Sequence, residues 1–257
     1  MSGGYVHGYS GREAERLRDQ AGTLSRLLHH DTSYPGGSEV LEVGCGVGAQ
    51  TVTLCANSPS ARFTCVDIHQ ESLARAEDHV TAMGHANVRF VRADVFDLPF
   101  EPGAFDHAFC CFLLEHLADP AAALGCIRGV LADGGTLTVI EGDHGSAFFH
   151  PDSEYARLAV RCLIESQARL GGNALVGREL FPLLACNGWK DVRVSPRVVY
   201  ADSSRPDLVE GFTRNTFTAM VRGARDTVVE MGLASGEDLD RGIRDLYRTS
   251  EDGGTFC

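Results

Sequence analysis

The sequence has no cluster of Lys and Arg. Its formal net charge is -12, from 23 Lys+Arg against 35 Asp+Glu, and the stretch from Ala234 to Cys257 is acidic as well. A chain that grips a nucleic-acid backbone or an anionic membrane normally shows a basic face, so neither is an expected partner. No apolar run approaches the ~20 residues needed to span a bilayer. The opening MSGGYVHGYSGRE lacks the charged-then-apolar layout of a secretory leader. None of the nine cysteines forms a CxxC pair, which removes the close spacing that zinc sites use, and no metal is expected. An odd number of thiols and no leader point to reduced cysteines in a cytoplasm, several buried as small hydrophobes. There is no internal repeat and no low-complexity segment.

What is present is an ordinary globular composition, 44% hydrophobic and 23% charged, in a chain long enough for one large α/β domain with a small cap. Ser10 and Glu13 make a capping box, and Leu17, Ala21, Leu24 and Leu28 recur behind it on one helical face. After the turn-rich Ser33-Tyr34-Pro35-Gly36-Gly37, strands and helices alternate. Strands are expected over Val40–Val43, Arg62–Val66, Val88–Val91, Asp106–Phe112 and Thr136–Ile140. Helices are expected up to about Asn57, over Glu71–Met83 with Gly84 as its stop, and from the Asp119-Pro120 cap to about Leu131. Beyond Glu141 the rhythm breaks into a loop and a helix over Glu154–Leu170. It resumes with a helix over Arg178–Cys186 and a strand over Val192–Val199. Further helices fill 206–248, and Thr255-Phe256-Cys257 reads as the start of one more strand.

Strands separated by helices of this length imply βαβ units. The expected fold is therefore α/β: a doubly wound, mostly parallel seven-stranded sheet with helices on both faces and a helical cap. It divides into an N-terminal arm and helix acting as a lid (1–32), a cofactor-binding core (33–141), a cap insertion (142–176), and the remainder of the core (177–257) with a helical cap segment at 202–250.

The strongest local signal is VLEVGCGVGAQT, residues 40–51. Gly44, Gly46 and Gly48 permit a tight turn and close approach of a ligand to bare backbone. A dinucleotide fingerprint places a glycine or another small residue where Ala49 stands, so spacing alone leaves that reading open. Glu42 disfavours it, because a carboxylate just before the turn repels a pyrophosphate but suits the amino group and sulfonium of S-adenosylmethionine. Asp67 ends the second strand, where a carboxylate can accept both ribose hydroxyls. Asp94 ends the third, where it can accept from an adenine amino group. Each acid alone also reads as a helix cap or turn residue.

Together with VDIHQESL, RADVFDLPF, FDHAFCCFLLEHLADPAAALGCIRGVL and GGTLTVIE, the glycine segment resembles class I methyltransferases dependent on S-adenosylmethionine. It is nearest the group of menaquinone-biosynthesis and natural-product enzymes. The resemblance covers residues 40–141 closely and GRELFPLLACNGW more loosely. It implies that the glycine loop holds the methionine part, Asp67 with Ile68 the ribose side, Asp94 with Val95 the adenine, and that Cys111 offers its backbone to the cofactor amine. The expected reaction is methyl transfer to a small-molecule acceptor with S-adenosylhomocysteine as product. The N/D-P-P-Y tetrapeptide of nucleobase and glutamine methylases is absent. A non-methylating enzyme on the same scaffold, or a non-catalytic cofactor-binding subunit, stays open, as does a homodimer.

Methyl transfer needs alignment and shielding, and a base only where the acceptor loses a proton. The segment EGDHGSAFFHP follows the fifth strand and supplies Glu141, Asp143, His144 and His150. His144 suits general-base work. The alternatives are that Asp143 and His144 only shape the loop, or that these side chains hold a metal. The arm carrying Tyr5, His7 and Tyr9 reads as a lid over the acceptor or as a frayed end. Gln20 reads as a partner for the cofactor carboxylate or as part of a solvated face. Phe148, Phe149, Phe181 and Trp189 read as an acceptor pocket or as core.

Overall fold

Successive side chains on a strand point to opposite faces, and the apolar residues here occupy both. In the computed structural model, which describes residues 22–257, five strands form one sheet: β1 (Glu39–Val43), β2 (Arg62–Asp67), β3 (Val88–Arg92), β4 (Phe105–Cys111) and β5 (Leu131–Ile140). All pairings are parallel and the order is β3-β2-β1-β4-β5. Val40, Phe63, Cys65 and Phe109 pack on one face with Leu54 of α2 (Ala49–Asn57) and Leu73 of α3 (Gln70–Ala82). Leu41, Val43, Val66, Ala108 and Cys110 pack on the other with Leu124 and Ile127 of α4 (Pro120–Gly129) and Leu180 of α6 (Val176–Cys186). Helix α1, described over 22–29, lies against the first of these faces, with His29 5.7 Å from the Phe109 ring. Gln20, Tyr5, His7 and Tyr9 lie outside the described residues.

The ends of several helices form for local reasons. Asp119 accepts from Ala122 N at 2.8 Å and Pro120 fills the first helical position. Ser153 caps α5 (Glu154–Arg169) through Ala156 N, and Ser235 caps α10 (Gly236–Arg248) through Asp238 N. Gly84 takes φ +83° just past α3, the left-handed stop expected of it.

The seven strands expected of one sheet do not all join it. Residues 192–199 form no paired strand. Pro196 removes a ladder donor, and Arg197 is drawn sideways to Asp31 and to the carbonyls of Leu27 and Leu28. The strand at Thr255–Phe256 (β8) does form, but in a separate antiparallel patch between β6 (Phe149–His150) and β7 (Ala201–Asp202). Phe256 decides that placement, since it is buried against Phe217, 4.7 Å between ring centres, and Phe149.

The patch belongs to a second core. Ala159 and Leu163 of α5, Phe217 of a π-helical run (Val209–Thr218), Val221 of α8 (Ala219–Gly223), Val228 of α9 (Arg225–Glu230) and Leu246 of α10 bury one another there. The short α7 (Pro206–Leu208) leads into that run. No described helix is long and apolar enough to cross a membrane, and all nine cysteines are unpaired.

Candidate active site

Ligands of open parallel sheets bind outside the carboxyl ends of the strands, where the strand order reverses. Here that point lies between β1 and β4. Gly44, Gly46 and Gly48 follow β1 with φ of +73°, +54° and +73°. At Gly48 a Cβ would stand 3.1 Å from the Cα of Ala76 and from Val80, so α3 closes down on the loop from behind. At Gly46 a Cβ would meet nothing within 4 Å. The loop is tight on its inner side and open on its outer side, the arrangement a ligand lying on backbone needs.

Asp67 is fastened to this loop: its carboxylate accepts from Gly46 N and from His69 N, each at 2.9 Å. Each oxygen keeps lone-pair capacity for a further donor such as a hydroxyl. Ala93 N donates to Asp67 O, which brings Asp94 beside it on the next strand end. Asp94 is exposed and accepts from Phe96 N at 3.0 Å, while Val95 is buried under the turn. Ile68 and Phe96 are large apolar side chains left 42% and 43% exposed at this edge, an apolar flank suited to a purine. Cys111 ends β4 one step past the Val43–Cys110 pairing, opposite Gly44. Burial pushes its thiol well up, so the sulfur stays neutral. Loop, acids and apolar flank fit the methionine, ribose and adenine parts of S-adenosylmethionine.

Glu42 is not at that surface. Strand alternation turns it toward α2, where it is 2% exposed and accepts from Thr51 Oγ1 at 2.6 Å and Cys65 Sγ at 3.2 Å. Burial pushes its carboxyl up to about 7, against the pull of those two bonds. The expected contact with the cofactor amine is replaced by a brace beneath the glycine loop.

The acids after β5 also part company. Glu141 Oε1 accepts from Leu113 N at 2.9 Å and Leu114 N at 2.7 Å, clamping the turn Leu114–His116 just past β4. The clamp holds Phe112 at φ +53°, a left-handed conformation that a side chain rarely adopts. Glu141 Oε2 is buried without a hydrogen-bond partner, and burial, then the neighbouring Glu115, push this carboxyl up to about 8. Asp143 is a structural acid. It forms a two-point pair with Arg178, 2.8 Å at each contact, and also accepts from Ser146. Burial opposes ionisation of Asp143, but Arg178 outweighs it and holds the carboxyl below its usual range.

His144 keeps chemical freedom. Its ring lies edge-on to Phe217, and Nε2 stands 3.9 Å from Glu115 Oε2. A Cβ on residue 142 would come within 3.4 Å of that nitrogen, so Gly142 leaves the approach clear. His144, Glu115 and Glu141 share a wall of an open cavity of about 1480 Å³, with Phe148, Phe217 and Met220 among its apolar lining. Phe149 does not line it, because its ring stacks on Phe256 inside the second core. Phe148, 59% exposed, takes the place expected of Phe149, and Phe181 and Trp189 line a further part of the cavity. His150 stands exposed on β6, apart from this lining. Among the described residues no group of three or more His, Cys, Asp or Glu can hold a metal ion.

Sequence reasoning missed Glu115 and Gln167. Glu115 is an acid inside the apolar run FLLEHL, where neighbours bury it whatever its charge. Only that conflict between residue and surroundings signals it.

Fold and loop define an open α/β protein whose carboxyl sheet edge fits an adenosyl ligand. Residues 41–139, the core of the chain, match the family described as "Methyltransferase domain", and that core is similar to S-adenosylmethionine-dependent methyltransferases. An uncharacterized transposon-borne protein of Streptomyces fradiae is 35% identical over 190 residues, 73% of this chain and 54% of that protein. A demethylmenaquinone methyltransferase of Thermus thermophilus is 37% identical over 102 residues, 40% of this chain and 46% of the enzyme. The chain thus spans about half the length of these curated relatives. A Haemonchus contortus phosphoethanolamine N-methyltransferase, solved with phosphomonomethylethanolamine and S-adenosylhomocysteine, superposes with TM-score 0.52 at 17% identity. It covers 91% of this chain and 51% of its own, and shares the fold.

Proposed function

We propose that the protein transfers the methyl group of S-adenosylmethionine to a small-molecule acceptor. The observation that carries this reading is the Gly44–Gly48 loop, open at Gly46 and bonded through Gly46 N to Asp67. Gly44, Gly46, Gly48, Asp67, Asp94 and the backbone at Cys111 hold the cofactor, which supplies a methyl carbon activated by positive sulfur. The cofactor takes the β1–β3 half of the edge. The acceptor then lies in the cavity past β4 and β5, with the helices of 142–176 and 202–250 as its cap. Asp143 is engaged by Arg178 and Glu141 by two backbone N–H groups, which leaves His144 as the proton acceptor for an O–H or N–H nucleophile. The apolar lining favours an acceptor with an apolar body.

Titration calorimetry tests the cofactor. S-adenosylhomocysteine binds and NAD shows no comparable heat; equal or tighter NAD binding overturns the reading. Incubation with labelled S-adenosylmethionine and a metabolite extract, following label and S-adenosylhomocysteine release, then identifies the acceptor.

A further inference from the structure

We infer that Glu115, fixed by Gln167 of α5, is the positioning residue that readies His144 to take the acceptor's proton. This rests on the reading of His144 as proton acceptor. Glu115 is 6% exposed. Its position is set twice over by the other core. Gln167 Nε2 donates to Glu115 O at 3.0 Å and to Glu115 Oε2 at 3.2 Å, and Asn173 N donates to Glu115 O at 2.7 Å. An amide and a main-chain N–H therefore hold both the backbone and the carboxylate of a residue that the sheet half contributes.

Among the described residues no Arg or Lys pairs with this carboxylate. What faces it is imidazole: His144 Nε2 is 3.9 Å from Oε2, and His116 Nε2 is 3.7 Å from Oε1. A buried carboxylate is costly unless matched by charge or hydrogen bonds. Glu115 recovers most where an adjacent imidazole becomes positive, which is the state His144 reaches as a base. As the acceptor's lone pair forms its bond to the methyl carbon, the bond from carbon to sulfur breaks. The proton leaves the acceptor for His144 Nε2, and the new imidazolium lies against Glu115. Two other acids stand on this wall, and Glu141 is near enough to Glu115 for the two carboxyls to repel. Glu141 clamps the turn before Glu115, and Asp143 is neutralised by Arg178.

Imidazole NMR of the full chain saturated with S-adenosylhomocysteine tests this without any acceptor. In Glu115→Gln the 15N shifts of the His144 ring, which report which ring nitrogen carries the proton, are expected to change at fixed pH, since the facing carboxylate is gone. His144→Ala assigns the signal. Gln167→Met keeps the volume and removes both Gln167 bonds to Glu115, and is expected to move the His144 ring shifts in the same direction by less. It also serves if Glu115→Gln fails to fold. S-adenosylhomocysteine affinity should stay within about twofold in all three variants, since the cofactor half is untouched. Unchanged His144 ring shifts in Glu115→Gln, or in Gln167→Met where only that variant folds, overturn the inference. Failure of the wild type to bind S-adenosylhomocysteine overturns the proposed function instead, so the two results stay distinct.

Discussion

Glu42 is sealed beneath the glycine loop with Thr51 and Cys65, whereas Asp67 is bonded to backbone N–H groups on the loop itself. The two acids therefore answer to different measurements. Burial raises the Glu42 carboxyl from 4.5 to about 7. Below pH 4.5 folded and unfolded chains both carry the proton and no cost arises. As pH rises from 4.5 to about 7 the folded state holds a proton the unfolded chain has released, and stability falls; above 7 the buried group ionises and the loss is complete. The full shift is worth about 3 kcal/mol. Glu42→Gln keeps an acceptor for Thr51 and removes that dependence. Its melting temperature relative to wild type should rise between pH 5 and pH 8.5, as read by calorimetry. A difference that does not change with pH would show that Glu42 is not held as a raised acid. Asp67→Ala should leave the fold intact and weaken S-adenosylhomocysteine by about 1–3 kcal/mol, the cost of unmatched hydroxyls. An unchanged dissociation constant would place the ribose elsewhere.

At the scale of elements, helix ends and strand centres were legible because they depend on local chemistry: the Asp119-Pro120 cap, the Gly84 stop, the run of apolar residues in β1. Where the glycine loop, Asp67 and Asp94 stand was legible for the same reason, since each sits at a strand end that local sequence marks. The destinations of 192–199 and 255–256 were not. They depend on which partner Arg197 and Phe256 find, a long-range choice that periodicity does not encode. Glu115 and Gln167 were hidden likewise, being 52 positions apart and meeting only through the packing of α5. That packing has a weak point. Gly242 of α10 lies so close to α5 that a Cβ would stand 2.3 Å from Tyr155 O and 2.9 Å from Ala159 Cβ. Backbone cannot yield as a flexible side chain can, so Gly242→Ala must push the helices apart. It is expected to destabilise the protein by about 1–3 kcal/mol in denaturant titration while S-adenosylhomocysteine affinity holds. A neutral effect would mean the two helices are not so closely docked.

The whole molecule has a sheet with apolar clusters on both faces and a helical body with a core of its own, joined by few polar contacts. Among the described residues these include the Gln167 and Asn173 bonds to Glu115 and the bond from His144 N to Ala174 O. All of them lie past β4 and β5, on the acceptor side of the edge. None touches the glycine loop, Asp67 or Asp94. These bonds therefore give cofactor binding in the other half no means of tightening the helical body. Hydrogen exchange with and without S-adenosylhomocysteine should show new protection at 44–48, 67–69 and 94–96, where backbone N–H groups lie under the ligand or in the turns it covers. Residues 219–248 should exchange at unchanged rates. The cap would then be closed by the acceptor, and the order of binding would be free on the cofactor side. If slowed exchange instead reaches α8 and α10, the cofactor alone orders the cap. The polar contacts around Glu115 would then transmit its binding, and the division into a cofactor half and an independent acceptor half would have to be given up.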